Sequence, residues 1–272
     1  MPIPNLTLSN DVTIPQFGLG TWQVTDQVQY DTMFSAAVAA GYRHFDTAQV
    51  YENEQMLGAA WQAAGLARKD IFITSKVWIK NFGPKKVKSS FERSLSNLGT
   101  DYIDLMLLHF PVTIFRKKAW GALEDLYDSG QIKSIGVSNY TIKHLEEMKS
   151  YARVMPHSNQ VELHVFLQQP ELLAYCRENG IVVEAYSPLA HAKANNEPVI
   201  KRIAEAHGKS YAQIMLRWCV EEGLVVIPKS VTPSRIQENA EIFDFQLTPA
   251  EIEQLRPLDR NLRTCWSPVH VP

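Results

Sequence analysis

Four side chains that could together transfer a proton follow three apolar runs in the first half of the sequence. Asp46 lies near the end of the run that begins at residue 43 and Tyr51 lies just beyond it, while Lys76 lies near the end of the run IFITSKVW. His109 comes directly after IDLMLL. Singly, such residues have ordinary structural roles, since an aspartate caps helices, a lysine extends to solvent, and a tyrosine or histidine packs in a core. If the three runs are neighbouring parallel strands, the four side chains meet in one cleft.

The chemistry that suits this set is proton transfer through the phenol of Tyr51. A tyrosine has an ordinary pKa near ~10, which is too high for ready proton exchange at neutral pH unless a nearby cation stabilises the phenolate. Lys76 is the natural cation, so we expect it to lower the pKa of Tyr51, while Asp46 keeps Lys76 charged and oriented. As a neutral donor, His109 is expected to hold and polarise a substrate oxygen beside the phenol.

Eight apolar, strand-like runs alternate with helix-like segments and must position these residues. The predicted strands span residues 16–22, 43–48, 71–78, 102–110, 132–139, 157–163, 181–188 and 224–230. The predicted helices include residues 26–40, 84–98, 116–128, 142–151, 170–179 and 211–221. Most of the strands are continuously apolar, as parallel strands covered by helices are. The pattern therefore predicts an α/β fold, a (β/α)8 TIM barrel, whose active site lies at the carboxyl ends of the strands.

The same pattern predicts one domain over residues 1–272, because no linker or change of composition divides the chain. A short hairpin is expected at the start, with strands at 6–8 and 12–14, and the tail after Leu258 is short. The rival is a doubly wound sheet. It is disfavoured because FGLGTW, in which the first barrel strand ends, lacks the third glycine of a GxGxxG loop and opens no obvious helix.

Composition restricts the partners and the compartment. Of the 272 residues, 45% are hydrophobic and 21% charged, and the formal net charge is −2. With no long basic run, nucleic acid is not an expected partner. No apolar stretch suits a membrane span and no signal sequence is present, so a cytoplasmic protein is expected, as a monomer. The three cysteines are far apart and show no metal-ligand spacing, so no metal is expected.

Five segments in this order resemble the aldo-keto reductase family, in particular bacterial members such as 2,5-diketo-gluconate reductases. They are GYRHFDTAQVYENE, IFITSKVW, DYIDLMLLHFP, IGVSN and IPKS. The resemblance covers nearly the whole chain and implies a (β/α)8 barrel that reduces aldehydes and ketones with NADPH and without a metal. It also implies a catalytic tetrad at Asp46, Tyr51, Lys76 and His109, which coincides with the set reached from the residues alone.

The resemblance further implies which residues hold NADPH. They are Gly20, Thr21, Trp22 and Asp46 on the first two strands, Ser138, Asn139 and Gln160 at the nicotinamide carboxamide, Tyr186 against the nicotinamide ring, Ser187 and Leu189 at the pyrophosphate, and Lys229, Ser230, Val231, Arg235, Glu238 and Asn239 at the adenosine end. In PKSVTPSRIQEN, a lysine and an arginine flank a turn that opens a helix, which independently suits the 2′-phosphate of NADP. The alternative for Arg235 and Glu238 is a surface ion pair.

The residues expected at the substrate carbonyl form a largely aromatic rim, comprising Trp22, Val50, Tyr51, Trp78, His109 and Phe110. The resulting hypothesis is reduction of small carbonyls or keto-sugars, of the 2,5-diketo-gluconate or methylglyoxal type, to alcohols, with Tyr51 as general acid. Two alternatives stay open. Lys76 could form a Schiff base as in barrel lyases, which borohydride trapping would detect, or the chain could bind NADPH as a non-catalytic subunit.

Overall fold

Eight parallel strands follow one another around a barrel in a computed structural model that describes residues 2–192 and 196–272. They are β3 Gly18–Gly20, β4 His44–Asp46, β5 Phe72–Val77, β6 Ile103–Leu108, β7 Ile132–Ser138, β8 Ser158–Glu162, β9 Val182–Tyr186 and β10 Val225–Ile227. Each pairs in parallel with the next. The amide of Val226 donates to the carbonyl of Gln16 at 2.9 Å, and that of Gly20 to Pro228 at 3.0 Å, which closes the barrel. All eight predicted barrel strands are confirmed.

The predicted hairpin is also confirmed, and it closes the amino-terminal end of the barrel. Its strands, β1 Asn5–Thr7 and β2 Thr13–Pro15, pair antiparallel. Leu8 and Ile14 of this hairpin are buried in one apolar cluster with interior side chains of the barrel, among them Leu105 and Val225. Because apolar side chains fill this end, polar chemistry is restricted to the opposite end, where the strands finish.

Helices cover the outer face of the strands. They are α1 Gln27–Ala39, α2 Glu54–Ala63, α3 Pro84–Leu98, α4 Arg116–Asp128, α5 Ile142–Met148, α6 Pro170–Glu178, α7 Pro198–His207, α8 Tyr211–Glu221, α9 Pro233–Ala240 and α10 Pro249–Leu255. The six named in the sequence analysis are confirmed. In the described part of the chain, no helix combines the length and the apolar character that a membrane span requires.

Three helices were not predicted, and two of them carry local signals. Pro198 opens α7 and Gly208 ends it in a left-handed conformation, which are ordinary start and stop residues. At α10, Thr248 and Glu251 form a reciprocal capping box. The third, α2, is rich in small residues and follows the tyrosine loop closely. Residues 193–195 of the segment before α7 lie outside the described residues.

The barrel wall leaves no room for a side chain at Gly136 on β7. A Cβ built there would lie 2.6 Å from Leu107 Cδ2 and 2.6 Å from the backbone oxygen of Ser158. Backbone cannot move aside cheaply, so glycine is required for the adjacent strands to approach this closely.

We expect Gly136→Ala to lower the free energy of unfolding by about 1–3 kcal/mol, the usual cost of overpacking. Gly121→Ala is the matched control, because a Cβ at this position of α4 meets nothing within 4 Å. That control should leave stability unchanged or raise it by up to about 1 kcal/mol, since alanine favours a helix. Denaturant unfolding measures both, and equal stabilities of the two variants would contradict the packing argument.

Candidate active site

A buried ion pair joins β4 to β5 inside the carboxyl end of the barrel. Lys76 Nζ donates to Asp46 Oδ1 at 2.6 Å, to Asp46 Oδ2 at 2.8 Å, and to the carbonyl of Thr47 at 2.9 Å. Lys76 is 1% exposed and Asp46 2% exposed. An ammonium group has three donors, and here all three have an acceptor, which is what a desolvated lysine requires. The predicted orientation of Lys76 by Asp46 is therefore observed.

Tyr51 lies beside this pair, at the end of a short 3₁₀ turn, Gln49–Tyr51, that follows β4. Lys76 Nζ lies 5.1 Å from the centre of its ring. Burial raises the pKa of Tyr51 well above 10, and the charge of Asp46 and the Cys265 thiol raise it further. The expected lowering of this pKa by Lys76 is wrong. Both carboxylate oxygens of Asp46 contact the ammonium, so the cation next to the phenol is largely compensated and burial prevails.

His109 follows β6 and lies against the same tyrosine. Its ring centre is 5.8 Å from that of Tyr51 and 5.2 Å from that of Trp78, both in edge-to-face arrangements. Burial lowers the pKa of His109 well below 6.5, and Lys76 lowers it further, so the ring is neutral at neutral pH. Its Nδ1 is buried and has no hydrogen-bond partner among the described residues. The predicted neutral state of His109 agrees with this environment.

The first two strand ends are fixed by an asparagine that sequence reasoning missed. The side-chain amide of Asn53 donates to the carbonyls of Thr21 at 2.8 Å and Val24 at 3.0 Å. It accepts from Thr47 Oγ1 at 2.8 Å. Thr21 in turn donates through its hydroxyl to the carbonyl of Asp46 at 2.9 Å. Asn53 stands in the motif VYENE as the residue before α2, and that position was the signal available in the sequence.

A second polar network occupies the ends of β7, β8 and β9. Ser138 Oγ donates to the carbonyl of Gln160 at 2.9 Å, and Tyr186 Oη donates to Asn139 Oδ1 at 2.8 Å. The Asn139 amide donates to the carbonyl of His109 at 3.1 Å and to Ser138 Oγ at 3.0 Å. Four residues predicted at one end of the cofactor are thus brought together, next to the tetrad.

The remaining predicted cofactor residues lie along the barrel mouth from β9 to α9. Ser187 Oγ lies 2.9 Å from His191 Nε2, and Leu189 is half-buried against the core. Lys229 and Arg235 are exposed. Part of the Lys229 side chain is nevertheless buried, and this burial lowers the pKa of Lys229. The Ser230 hydroxyl accepts from the amide of Thr232 at 3.2 Å, in the turn that opens α9.

Two details of the last group differ from simple expectations. Arg235 and Glu238, both in the described part of the chain, form no ion pair with each other, so the surface ion-pair alternative is not observed. Asn239 is 5% exposed and points into the protein rather than into open solvent. Val231 is half-buried against the core. Gly20 lies beside the end of β10, and a Cβ built at Gly20 would lie 3.2 Å from the carbonyl oxygen of Ile227.

The predicted substrate rim stands partly open to solvent. Trp22 is 45% exposed and Val50 37% exposed, whereas Trp78 and Phe110 are half-buried. The ring of Trp22 lies 6.1 Å from that of His191, edge to face. The rim therefore has apolar walls and is partly exposed to solvent near Tyr51.

The carboxyl-terminal tail is held at the barrel mouth by Glu162 at the end of β8. Glu162 Oε1 accepts from the amide of Thr264 at 2.6 Å and from its hydroxyl at 2.5 Å, and Oε2 accepts from the amide of Cys265 at 3.2 Å. Burial disfavours the Glu162 carboxylate, but the nearby His164 ring, 3.5 Å away, and hydrogen bonds from Thr264 and Cys265 outweigh it and lower its pKa to about 2. Sequence reasoning did not assign Glu162 this role.

Comparison with known proteins agrees with this geometry. Residues 16–260 match the model of the aldo/keto reductase family. Glyoxal reductase from Bacillus subtilis is 43% identical, over 96% of this chain and 95% of its own. The chain therefore belongs to the aldo/keto reductase family. It is an oxidoreductase by that membership.

Solved structures of the family superpose closely. An aldo-keto reductase from a Medee basin deep-sea metagenome library is 37% identical with a TM-score of 0.94, covering 99% of this chain and 100% of its own. The aldo-keto reductase of Bombyx mori, solved in complex with NADP, is 32% identical with a TM-score of 0.91, covering 97% and 95%. The barrel predicted from the sequence is confirmed.

We expect Glu162→Gln to lower the free energy of unfolding at pH 7 by up to about 3 kcal/mol, because the variant loses a carboxylate whose pKa is held at about 2, against an ordinary 4.5. A lowered folded-state pKa stabilises the fold fully above the unfolded value, and this stabilisation is lost as pH falls from about 4.5 to about 2. The difference between wild type and variant should therefore shrink in that window.

Denaturant unfolding at a series of pH values measures this difference. Glu146→Gln is the control, since that exposed carboxylate pairs with Lys149 on the surface and holds no tail residue. A difference between wild type and Glu162→Gln that stayed constant down to about pH 2 would contradict the role of the Glu162 charge in anchoring the tail.

Proposed function

We propose that the protein reduces aldehydes and ketones to alcohols with NADPH, using Tyr51 as the general acid. The observation that carries this proposal is the convergence of four side chains from three strand ends on one cleft: a protonated phenol, a neutral imidazole, and a buried lysine held by an aspartate. Family membership supports the reaction class, and the burial of each group supports its protonation state.

The residues along the mouth fit NADP(H) chemically at both ends. Amide and hydroxyl groups of Ser138 and Asn139 suit a carboxamide, and the Tyr186 ring beside them offers a stacking surface. At the other end, Lys229 and Arg235 flank the amino-terminal turn of α9, where a cation and free backbone amides favour a phosphate. These residues would hold NADPH, which supplies a hydride to the carbonyl carbon when bound.

Each protein residue then has one physical task. Tyr51 donates its proton to the carbonyl oxygen as negative charge develops there, and its raised pKa keeps the proton in place until that moment. His109, being neutral, donates a hydrogen bond to the same oxygen without competing for the proton. Lys76 stabilises the phenolate left behind, because its ammonium is fixed 5.1 Å from the ring.

The geometry favours this proposal over a Schiff-base lyase. A Schiff base requires a lysine amine with a free lone pair. The Lys76 ammonium instead donates three hydrogen bonds, two of them to a carboxylate that favours the charged form. We therefore expect no borohydride-trapped adduct at Lys76. A complete tetrad also favours catalysis over a purely cofactor-binding subunit.

The substrate class we propose is small carbonyl compounds, including dicarbonyls of the methylglyoxal type and keto-sugars such as 2,5-diketo-gluconate. The rim around Tyr51 is apolar but partly open, which suits a small carbonyl with a solvent-facing remainder. A relative named glyoxal reductase, 43% identical, supports the dicarbonyl class. Steady-state oxidation of NADPH against a panel of aldehydes, ketones and keto-sugars is the test.

We expect Tyr51→Phe to lower the turnover number for carbonyl reduction by roughly 10²- to 10⁴-fold, the usual contribution of a general acid. NADPH binding, followed by fluorescence, should change little, because the hydroxyl is assigned to the carbonyl oxygen. Tyr127→Phe is the control, since Tyr127 lies near Asn10 of the hairpin at the opposite end of the barrel. Retention of most turnover by Tyr51→Phe would refute the acid role.

We expect Arg235→Ala to weaken NADPH binding by roughly 10- to 100-fold, as the loss of a charge-assisted hydrogen bond does, while NADH binding changes little. The reason is that Arg235 is assigned to the 2′-phosphate, which only NADPH carries. Arg153→Ala serves as control, because Arg153 pairs with Asp128 away from the barrel mouth. Fluorescence titration with both cofactors measures this, and equal losses for NADPH and NADH would contradict the assignment.

A further inference from the structure

A buried carboxylate that the proposed reaction does not use lies in the barrel interior. Glu184, on β9, is 0% exposed. Ser158 Oγ donates to its Oε1 at 2.6 Å, and Gln160 Nε2 lies 3.5 Å from its Oε2. A carboxyl group so far from solvent is costly unless it is neutral or has compensating partners, so its presence calls for a function.

The partner of Glu184 connects it to the catalytic ion pair. The same Gln160 Nε2 donates to Asp46 Oδ2 at 2.8 Å. One amide group thus bridges two carboxyl groups, and Asp46 also binds Lys76 through both of its oxygens. The cluster has a net charge of zero while Glu184 holds a proton and of −1 when Glu184 ionises. The proton on Glu184 therefore decides the charge of the site beside Tyr51.

We infer that Glu184 is a positioning residue for the Asp46–Lys76 pair, acting through Gln160, and that ionisation of Glu184 and the charge of this pair are thermodynamically coupled. A neutral Glu184 leaves the Gln160 amide directed at Asp46. An ionised Glu184 competes for that amide and adds a negative charge, which disfavours the phenolate of Tyr51. Its effect on turnover rests on the proposed function, but the coupling itself does not.

The groups around Glu184 place this ionisation in the neutral range. Burial raises the pKa of Glu184 to about 7, against an ordinary 4.5, and Asp46 raises it, while Ser158, Lys76 and Gln160 lower it. On β4, burial lowers the pKa of His44 to about 3, so that ring is uncharged at neutral pH. β10 presents Val225 opposite Glu184, without a charge. Asp46 and Lys76 are thus the charges that face it within the described residues.

Infrared spectroscopy over a pH series tests the coupling without turnover. A protonated carboxyl group has a carbonyl stretch that disappears on ionisation. We expect wild type to lose such a signal with a midpoint near pH 7, and Glu184→Gln to lack it. Glu54→Gln is the matched control and should retain it, because Glu54 is also a buried carboxylate that accepts from a serine, Ser75 Oγ at 2.7 Å, but has no contact with Gln160.

The decisive variant is Asp46→Asn, which removes the neighbouring negative charge. The midpoint should fall by roughly one unit or more, because a like charge within a few ångströms raises a carboxyl pKa by that order. If Asp46→Asn does not fold, Ser158→Ala tests the same environment. Losing a donor to the ionised form should raise the midpoint. A signal that persists in Glu184→Gln, or a midpoint that Asp46→Asn does not lower, would overturn the inference. Where Asp46→Asn does not fold, a midpoint that Ser158→Ala does not raise would overturn it.

The pH profile of kcat/KM then tests positioning. Wild type and Glu54→Gln should show an ionisation near neutral pH, and Glu184→Gln, which is fixed in the neutral state, should lack it. A profile of Glu184→Gln identical to that of wild type would refute a role in positioning. If no carbonyl compound is reduced by wild type, the proposed function fails, while the infrared midpoints still decide whether Glu184 and Asp46 are coupled.

Discussion

The structure of the site depends on one desolvated contact, the ion pair between Lys76 and Asp46. Removing both charges from water costs several kcal/mol for each, which only good geometry and complete hydrogen bonding offset. Here Thr47 supplies the third acceptor for the ammonium, and Gln160 supplies an amide donor to the carboxylate. Polar contacts therefore join the ends of strands β4, β5 and β8. The short turn that carries Tyr51 follows β4 and lies next to this ion pair.

Burial around the pair selects the neutral forms of the groups beside it. It raises the pKa of Tyr51 and lowers that of His109, so both are uncharged donors at neutral pH. Tyr51 and His109 thus already carry the protons that they are proposed to donate, and the pKa of the phenol is not lowered in the resting protein. In the proposed reaction the lysine acts mainly when the phenolate forms, because only then does an uncompensated charge face it. Electrostatic preparation of this kind needs no rearrangement during the reaction.

Much of this could be predicted from the sequence, for reasons that differ between elements. The eight barrel strands were predictable because doubly covered parallel strands are continuously apolar. The meeting of Asp46, Tyr51, Lys76 and His109 in one cleft was predictable because they lie at or just beyond the ends of such runs, and their catalytic roles stay a proposal. The pKa of Tyr51 was not predictable, since it depends on both oxygens of Asp46 contacting Lys76. Glu162 and Glu184 were missed as contributors because their partners, Thr264 and Ser158, come from distant segments and no local pattern marks them.

The hairpin at the base of the barrel has a consequence for solvent access. Leu8 and Ile14 pack into the amino-terminal end, so within the described residues apolar side chains separate the polar layer from solvent at that end. Water and protons that exchange with the buried acids are therefore expected to pass through the carboxyl end, where Glu162 holds the tail. A molecule bound in the cleft should slow that exchange.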